Sequence, residues 1–151
     1  MSNFSRHPIE IEGEIWSTSE HFFQAMKSEE PQVQGIIRRL PTPGRAKNYA
    51  HTIALRPDWE KPVGTPALGD LFRDDQGIVV ELVKDHFMFA ALTAKFTQHG
   101  DIRQELLDTG SAFLVENTIG DPYWGNGPSR NGLNKLGRML MLLRSRLLQM
   151  V

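Results

Sequence analysis

The sequence has no cysteine among its 151 residues and no long apolar run. Without cysteine, disulfides, thiolate metal sites and a cysteine nucleophile are all excluded. No apolar stretch approaches the roughly 20 residues that a membrane-spanning helix needs, and the N-terminus lacks the apolar segment of a signal peptide. We therefore expect a soluble, cytoplasmic protein with no membrane partner.

An excess of charge of either sign is also missing, because 17 basic residues stand against 18 acidic ones. This balance excludes a strongly basic protein that wraps nucleic acid, although it is compatible with a local basic patch. A chain of this length can bury one good core but is too short for two ordinary domains. We predict a single domain over residues 1–151 with one main site.

The apolar spacing predicts a predominantly helical α+β fold. Isoleucines that alternate with charged residues on either side of Glu12-Gly13 predict a short β-hairpin. Helices are predicted over 17–30, 33–40, 43–51, 78–96, 101–110 and 133–151. The stretch 56–77 is dense in Pro, Gly and Asp and predicts a long surface loop, whereas 112–117 is a candidate strand.

The segment WSTSEHFFQAMK, residues 16–27, carries the first candidate site. Ser17 and Glu20 match a capping box, which gives Glu20 a purely structural role. On a helix, however, Glu20, Gln24 and Lys27 share one face, while His21 lies about 100° away. A carboxylate in such a setting can stabilise positive charge or activate water. Both roles stay open for Glu20.

A metal centre is disfavoured by the same segment. The zincin pattern H-E-x-x-H needs two imidazoles on one helical face, and EHFFQ provides only one. The remaining histidines have no ligand spacing around further acidic residues. We therefore predict neither a bound metal nor a cofactor.

The glycine-rich segment DPYWGNG, residues 121–127, is the second candidate. Asp121 and the glycines make turns in many proteins, and Tyr123 and Trp124 could simply cover a core. The same aromatic rings could stack on a base, which is worth about 1–3 kcal/mol. Gly125 would then let a ligand approach the backbone.

Basic residues near a predicted helix start form the third candidate. In PTPGRAKNY, Arg45 and Lys47 follow the predicted N-cap Thr42, where charge and free amides can hold a phosphate. The pair could equally be solvated surface charge. At the start of the C-terminal helix, Asn134 is either a cap or a site residue.

The motifs in their order resemble the NADAR or YbiA-like family. The resemblance runs from about Asn3 to Leu148, so it is far more specific than any single motif. It implies a mainly helical α+β fold and an activity on the N-glycosidic bonds of ribosylated bases. The motifs that carry it are WSTSEHFFQAMK, GRAKNY, RPDW, AALTAKFTQH with LLDTG, LVENTIGDPYWGNG and GLNKLGRMLMLLR.

The resemblance also implies particular reactions and site residues. YbiA-type members hydrolyse phosphoribosylamino-pyrimidine intermediates of riboflavin biosynthesis, other members remove ADP-ribose from guanine in DNA, and the family was first linked to NAD and ADP-ribose. The implied catalytic positions are Glu20, Lys27 and Asp121. The substrate-binding candidates, from the motifs and the resemblance together, are Asn3, Phe4, Gln24, Arg45, Lys47, Trp59, Tyr123, Trp124, Gly125 and Asn134.

We therefore expect an N-glycosidase that acts on a small ribosylated base. The near-neutral charge favours this substrate over ADP-ribosylated DNA, which usually needs several phosphate contacts. The sequence is also compatible with a non-catalytic module that binds NAD or ADP-ribose, or with a helical interaction domain. Lys27 either pairs with Glu20 or attacks the sugar as an amine.

Two departures from the family pattern bear on substrate choice. Members usually have a strand and a loop before the S-N-F segment, whereas here Met1 lies directly before it, so we expect a shortened or different pocket wall. An insertion is expected over 62–81, as a lid, a partner surface or a neutral loop.

Overall fold

A computed structural model of the protein describes residues 5–63, 72–118 and 120–150. Within these ranges the chain forms six helices and two small antiparallel sheets, which confirms the predominantly helical α+β prediction. The helices are α1 (Ser19–Ala25), α2 (Pro31–Arg39), α3 (Pro43–Ala50), α4 (Val83–Gln98), α5 (Gly100–Asp108) and α6 (Lys135–Gln149). The strands are β1 (Ile9–Ile11), β2 (Glu14–Trp16), β3 (Arg73–Asp74) and β4 (Gly77–Ile78).

The described residues divide into two compact units. The first unit comprises the described residues up to Val63 together with Leu82–Ile102. The second unit comprises the described residues of 72–81 and those from Arg103 onward. The single domain over 1–151 and the insertion over 62–81 stay predictions.

The predicted N-terminal hairpin is confirmed. Strands β1 and β2 pair antiparallel, with Ile9 opposite Trp16, and both of these side chains are buried. The turn residues Glu12 and Gly13 both have positive φ, 52° and 82°. Two left-handed residues form the kind of tight turn that matches the twist of paired strands. The hairpin thereby delivers the chain to the start of α1.

Helix α1 begins one residue later than the capping-box prediction required, so that prediction is wrong. Thr18 is the N-cap, and its Oγ1 accepts the backbone N–H of His21 at 3.1 Å. The helix ends at Ala25, so Lys27 lies in the turn that follows, where its N–H donates to the Gln24 carbonyl at 3.3 Å.

His21 is a structural residue that ties α1 to the end of α2. Its ring is buried, and Nε2 lies 3.0 Å from the Leu40 carbonyl oxygen. Because a carbonyl can only accept, Nε2 carries a proton, and Nδ1 lies 2.8 Å from the Thr18 hydroxyl oxygen. Both ring nitrogens are therefore used in holding the start of α1.

Aromatic rings form much of the core of the first unit. Trp16 meets Phe22 edge to face with 5.5 Å between ring centroids, and Phe22 meets Phe87 at 6.2 Å. Trp59 lies 5.2 Å from Phe23 and stacks on Phe87 at 6.2 Å. Such pairs add about 0.5–1.5 kcal/mol each beyond their burial. They fix α1 against α4.

The predicted helix over 78–96 and the predicted surface loop over 56–77 are both wrong in part. Helix α4 starts only at Val83, where Asp85 accepts the Leu82 N–H at 2.9 Å. Ile78 belongs to β4, which pairs with β3. Trp59, inside the predicted surface loop, is only 4% exposed.

The capping box predicted at 101–104 and the strand predicted at 112–117 are absent from the described residues. The Asp101 carboxylate pairs with His7 at 3.0 Å, and the Gln104 amide donates to Asp108 at 2.8 Å. Residues 112–118 belong to neither a helix nor a strand. The helix end near Gly110 is correct, since α5 ends at Asp108 and Gly110 has a φ of 62°.

The C-terminal leucine stripe is largely confirmed. Leu133 precedes α6 and is 51% exposed, whereas the later leucines of the stripe are buried. Asn134 occupies the N-cap position with a φ of 50°, but its side chain makes no capping bond. Instead its Oδ1 accepts the Glu116 N–H and its Nδ2 donates to the Leu114 carbonyl, both at 2.9 Å.

Substitution Gly137→Ala is expected to destabilise the protein. A Cβ at Gly137 would lie 2.5 Å from Asn134 Oδ1 and closer still to the Leu114 carbonyl oxygen, so the Asn134 bridge must shift. Overpacking of this kind costs about 1–3 kcal/mol. Thermal unfolding measures it, with Gly44→Ala in α3 as the matched control.

At Gly44 no described atom lies within 4 Å of an added Cβ. The control should therefore raise stability by about 0.5 kcal/mol, because alanine loses less backbone entropy in a helix. Equal melting temperatures for both variants would show that the close approach at Gly137 is unimportant.

Candidate active site

Glu20 is a buried carboxylate held in the first turn of α1. It is 7% exposed, and its Oε1 accepts the Gln24 side-chain amide at 2.7 Å. The helix N-terminus favours a negative charge at this position, because the backbone N–H groups there are partly positive. The carboxylate is thus fixed in place by its own helix and is desolvated enough to act strongly on nearby charge.

The Gln24 side chain is only half satisfied. Its nitrogen must face Glu20, since an amide oxygen there would meet a carboxylate oxygen. Its Oε1 is therefore turned away, and it is buried without a hydrogen-bond partner in the described chain. An unsatisfied buried acceptor costs about 1–3 kcal/mol. This oxygen is available to a hydrogen-bond donor.

Lys27 is a half-buried amine in the turn after α1. Its Nζ lies 5.8 Å from the centre of the Phe23 ring. Burial lowers the pKa of Lys27 below its ordinary value; the Glu20 carboxylate opposes this effect, and the charges of Lys47 and Lys84 add to it. A lysine with a lowered pKa is neutral more often near neutral pH, as a nucleophilic amine must be.

The cations whose charge acts on Lys27 lie on two helices, Lys47 on α3 and Lys84 on α4. Arg45 and Lys47 lie exposed on α3, where the Arg45 N–H donates to the Thr42 cap at 3.1 Å. Lys84 was missed by sequence reasoning, because it lay inside the helix predicted over 78–96. Its Nζ pairs with Glu60 at 2.7 Å. Lys47 and Lys84 thus bring positive charge to the surroundings of Lys27.

Three further substrate-binding candidates lie in the N-terminal half, namely Asn3, Phe4 and Trp59. The Trp59 ring is covered by Phe23 and Phe87, which favours a packing role, and stacking on a base stays a prediction. Asn3 and Phe4 lie outside the described residues.

In the second unit, Asp121 organises the DPYW turn. Its Oδ1 accepts the backbone N–H groups of Tyr123 at 3.0 Å and Trp124 at 2.9 Å. The two aromatic rings meet edge to face at 4.8 Å. The segment therefore forms the predicted turn. Both of these hydrogen bonds use Oδ1 of Asp121, and neither uses Oδ2.

The same loop caps α6. The carbonyls of Tyr123, Trp124 and Gly125 accept the N–H groups of Lys135, Leu136 and Asn134 at 3.0–3.1 Å. These donors would otherwise be orphans of the first helical turn.

Position 125 has no room for a side chain, because the protein's own backbone packs closely against it. A Cβ at Gly125 would lie 2.8 Å from the Glu116 carbonyl oxygen. Internal packing therefore explains why a glycine stands at position 125. The approach of a ligand at this position stays a prediction.

Comparison with known proteins gives consistent matches. The model of the NADAR domain matches residues 1–148. "N-glycosidase YbiA" of Escherichia coli strain K12 is 38% identical over 149 residues, covering 97% of this chain and 80% of that protein. "N-glycosidase Npun_R5314" of Nostoc punctiforme is 37% identical, covering 95% and 82%.

A plant relative and a solved structure extend these matches. "Riboflavin biosynthesis protein PYRR, chloroplastic" of Zea mays is 30% identical over 165 residues, covering 98% of this chain but 23% of that protein. The NMR structure of the E. coli protein YbiA superposes with a TM-score of 0.78 at 38% identity, covering 99% of this chain and 77% of that one. Across the residues described here, every helix is too short or too polar to cross a bilayer.

Proposed function

Because this chain belongs to the NADAR domain family, we propose that it is an N-glycosidase that hydrolyses phosphoribosylamino-pyrimidine intermediates of riboflavin biosynthesis. The N-glycosidase and riboflavin-biosynthesis relatives support this activity and a small ribosylated substrate. The structural observation that carries it is the buried Glu20 carboxylate, fixed by Gln24 at 2.7 Å on the helix that leads into Lys27.

Glu20 suits the demands of the reaction. Breaking the bond between C1′ and nitrogen builds positive charge on the ribose and negative charge on the departing base. A fixed, desolvated carboxylate facing C1′ stabilises the first charge, or it accepts a proton from the attacking water. The departing nitrogen takes up a proton, and the products are ribose 5-phosphate and the free base.

Lys27 acts in one of two ways. As a cation it supports the Glu20 carboxylate and leaves the bond changes to water. As a neutral amine it attacks C1 of the opened sugar, so that the base leaves with a proton and an imine forms, which water then hydrolyses. The lowered pKa of Lys27 favours the second way, because it enlarges the neutral fraction.

The other candidates take binding roles in this proposal. Arg45 and Lys47 hold the phosphate, since both are exposed cations on α3 and the charge of Lys47 reaches Lys27. Tyr123 and Trp124 pack on the base or the sugar. Asp121 positions ribose hydroxyls or water through Oδ2, the carboxylate oxygen that the two hydrogen bonds of the turn do not use.

A side-by-side hydrolysis assay tests the proposal. Purified protein is given a phosphoribosylamino-pyrimidine and, separately, an oligonucleotide with ADP-ribosylated guanine. Faster release of ribose 5-phosphate from the first substrate supports the proposal. Faster release of ADP-ribose from the second would assign the protein to reversal of DNA ADP-ribosylation instead.

Asp121→Asn is expected to lower hydrolysis while keeping the loop folded. The amide oxygen of asparagine can still accept the N–H groups of Tyr123 and Trp124, whereas the negative charge is lost. We expect a kcat/KM loss of about 10-fold or more, as for removal of a group that orients a reactant. Steady-state kinetics and thermal unfolding measure the two effects.

Asp121→Ala is the comparison variant, because it removes both hydrogen bonds and should lower the melting temperature as well. If Asp121→Asn hydrolyses substrate at the wild-type rate, Asp121 is a turn residue and nothing more.

A further inference from the structure

Arg56 contacts the backbone at the point where Lys27 leaves α1. Its backbone N–H donates to the Lys27 carbonyl at 2.7 Å, and its Nη1 donates to the Met26 carbonyl at 3.4 Å. Carbonyls at a helix end lack partners within the helix. Arg56 therefore supplies donors to two carbonyls at the C-terminal end of α1.

The guanidinium of Arg56 is itself held from several sides. Its Nε and Nη2 donate to the two carboxylate oxygens of Asp58 at 2.6 and 3.1 Å. Its Cζ lies 5.1 Å from the centre of the Phe87 ring, and Glu29 pairs with it at 3.7 Å. The side chain is only 16% exposed. A forked, stacked arginine of this kind is rigid, and lysine cannot reproduce its geometry.

The same segment, residues 56–61, also binds the start of α4. The Val83 N–H donates to the Lys61 carbonyl at 2.9 Å, and the Lys84 N–H donates to the Trp59 carbonyl at 3.1 Å. One short segment thus holds both Lys27 and Lys84, whose positive charge acts on Lys27.

We propose that Arg56 is a positioning residue for catalysis: it fixes the turn after α1 and thereby holds the Lys27 amine against the Phe23 ring and within the influence of Glu20. This inference rests on the proposed function, because it takes Lys27 as a group that acts on substrate. It assigns a role to the RPDW motif, in which sequence reasoning had singled out only Trp59.

The groups around Lys27 show how a looser turn after α1 would change the pKa of its amine. Glu20 lies on α1, Lys47 on α3 and Lys84 on α4, and burial is the largest influence on the Lys27 amine. A looser turn admits water to the amine. The pKa of Lys27 then rises toward its ordinary value. The amine is also no longer held in its productive position when substrate is bound, which lowers kcat but leaves the affinity for substrate unchanged.

Substitution Arg56→Lys tests the proposal. It keeps the positive charge and the backbone N–H, but it cannot bridge Asp58 and Met26 together. We expect kcat to fall about 10-fold or more with KM nearly unchanged, as for a small misplacement of a reacting group. NMR titration of the Lys27 side chain, without substrate, should show an upward pKa shift.

Arg38→Lys is the matched control, because Arg38 pairs at the surface with Glu14 at 3.5 Å, away from the turn after α1. It should leave kcat and the Lys27 titration at wild-type values. If Arg56→Lys proves unstable, Asp58→Asn offers a milder change, since it keeps Arg56 and weakens only the fork.

The result that overturns this inference differs from the result that rejects the proposed function. Wild-type kcat and an unshifted Lys27 titration in both Arg56→Lys and Asp58→Asn, with only a lower melting temperature, would make Arg56 purely structural. Absence of turnover by the wild-type protein would reject the proposed function, whereas the titration would still report whether Arg56 sets the state of Lys27.

Discussion

Glu20→Gln is expected to lower kcat for N-glycosidic hydrolysis by about 10²–10⁴-fold, the range seen when a catalytic acid–base or charge-stabilising group is removed. The carboxylate is the negative charge proposed to face the ribose, and an amide of the same shape cannot replace it. KM should change little, because the lost interaction belongs to the transition state rather than to the bound substrate.

The fold should survive this substitution. The new side-chain oxygen can still accept the Gln24 amide, which now donates at 2.7 Å, and the Thr18 cap does not involve Glu20. Glu30→Gln is the control, because Glu30 is exposed and makes no capping hydrogen bond in α2. Initial rates and melting temperatures of both variants are compared. Near wild-type kcat in a folded Glu20→Gln protein would leave the carboxylate a purely structural role.

Lys27→Met is expected to lower kcat by at least about 10², because it removes both the charge and the amine. Lys27→Arg separates the two proposed roles, since arginine keeps the charge but cannot form an imine under these conditions. We expect this variant to be as slow as Lys27→Met. Substantial activity in Lys27→Arg would show that the cation alone suffices.

Borohydride trapping during turnover checks the covalent step directly. Reduction of an imine would leave a sugar adduct on Lys27, located by peptide mass analysis. Lys61→Met is the control, since Lys61 is an exposed lysine and its loss should leave the adduct unchanged. Trapping without any adduct at Lys27 would reject the amine attack.

The pH profile distinguishes the same roles by the sign of its slope. Burial lowers the pKa of Lys27, so its amine loses the proton at a lower pH than an exposed lysine does. If the neutral amine attacks, the rate rises with pH through this pKa. If the ammonium form acts, the rate falls through it.

Elements set by local pattern could be predicted from the sequence. The Glu12-Gly13 turn, the Thr42 cap of α3 and the apolar stripe of α6 each depend on residues only a few positions apart. The Glu20–Gln24 hydrogen bond follows in the same way from i,i+4 spacing. These features need no knowledge of the tertiary fold.

Features that depend on distant contacts could not be predicted. Ser17 and Thr18 are both residue types that cap helices well. Thr18 is the one that caps α1, and its hydroxyl also contacts the ring of His21, which binds the Leu40 carbonyl. Asn134 does not cap α6 with its side chain, since the DPYW loop supplies the carbonyls. In neither place does the local sequence reveal the partner.

The support of Lys27 shows the same limit at the candidate site. Its carbonyl is bound by Arg56, far along the chain, and its pKa depends on Lys84 from a helix whose start was predicted five residues too early. Periodicity finds the side chains that share a helix face, but not the segments that brace the end of that helix.

The most direct test is the release of products from a phosphoribosylamino-pyrimidine by the wild-type protein, with Glu20→Gln alongside. We predict equimolar ribose 5-phosphate and free base from the wild type and little of either from the variant. Binding of the nucleotide with no release of either product would contradict an N-glycosidase and would favour a module that only binds ribosylated nucleotides.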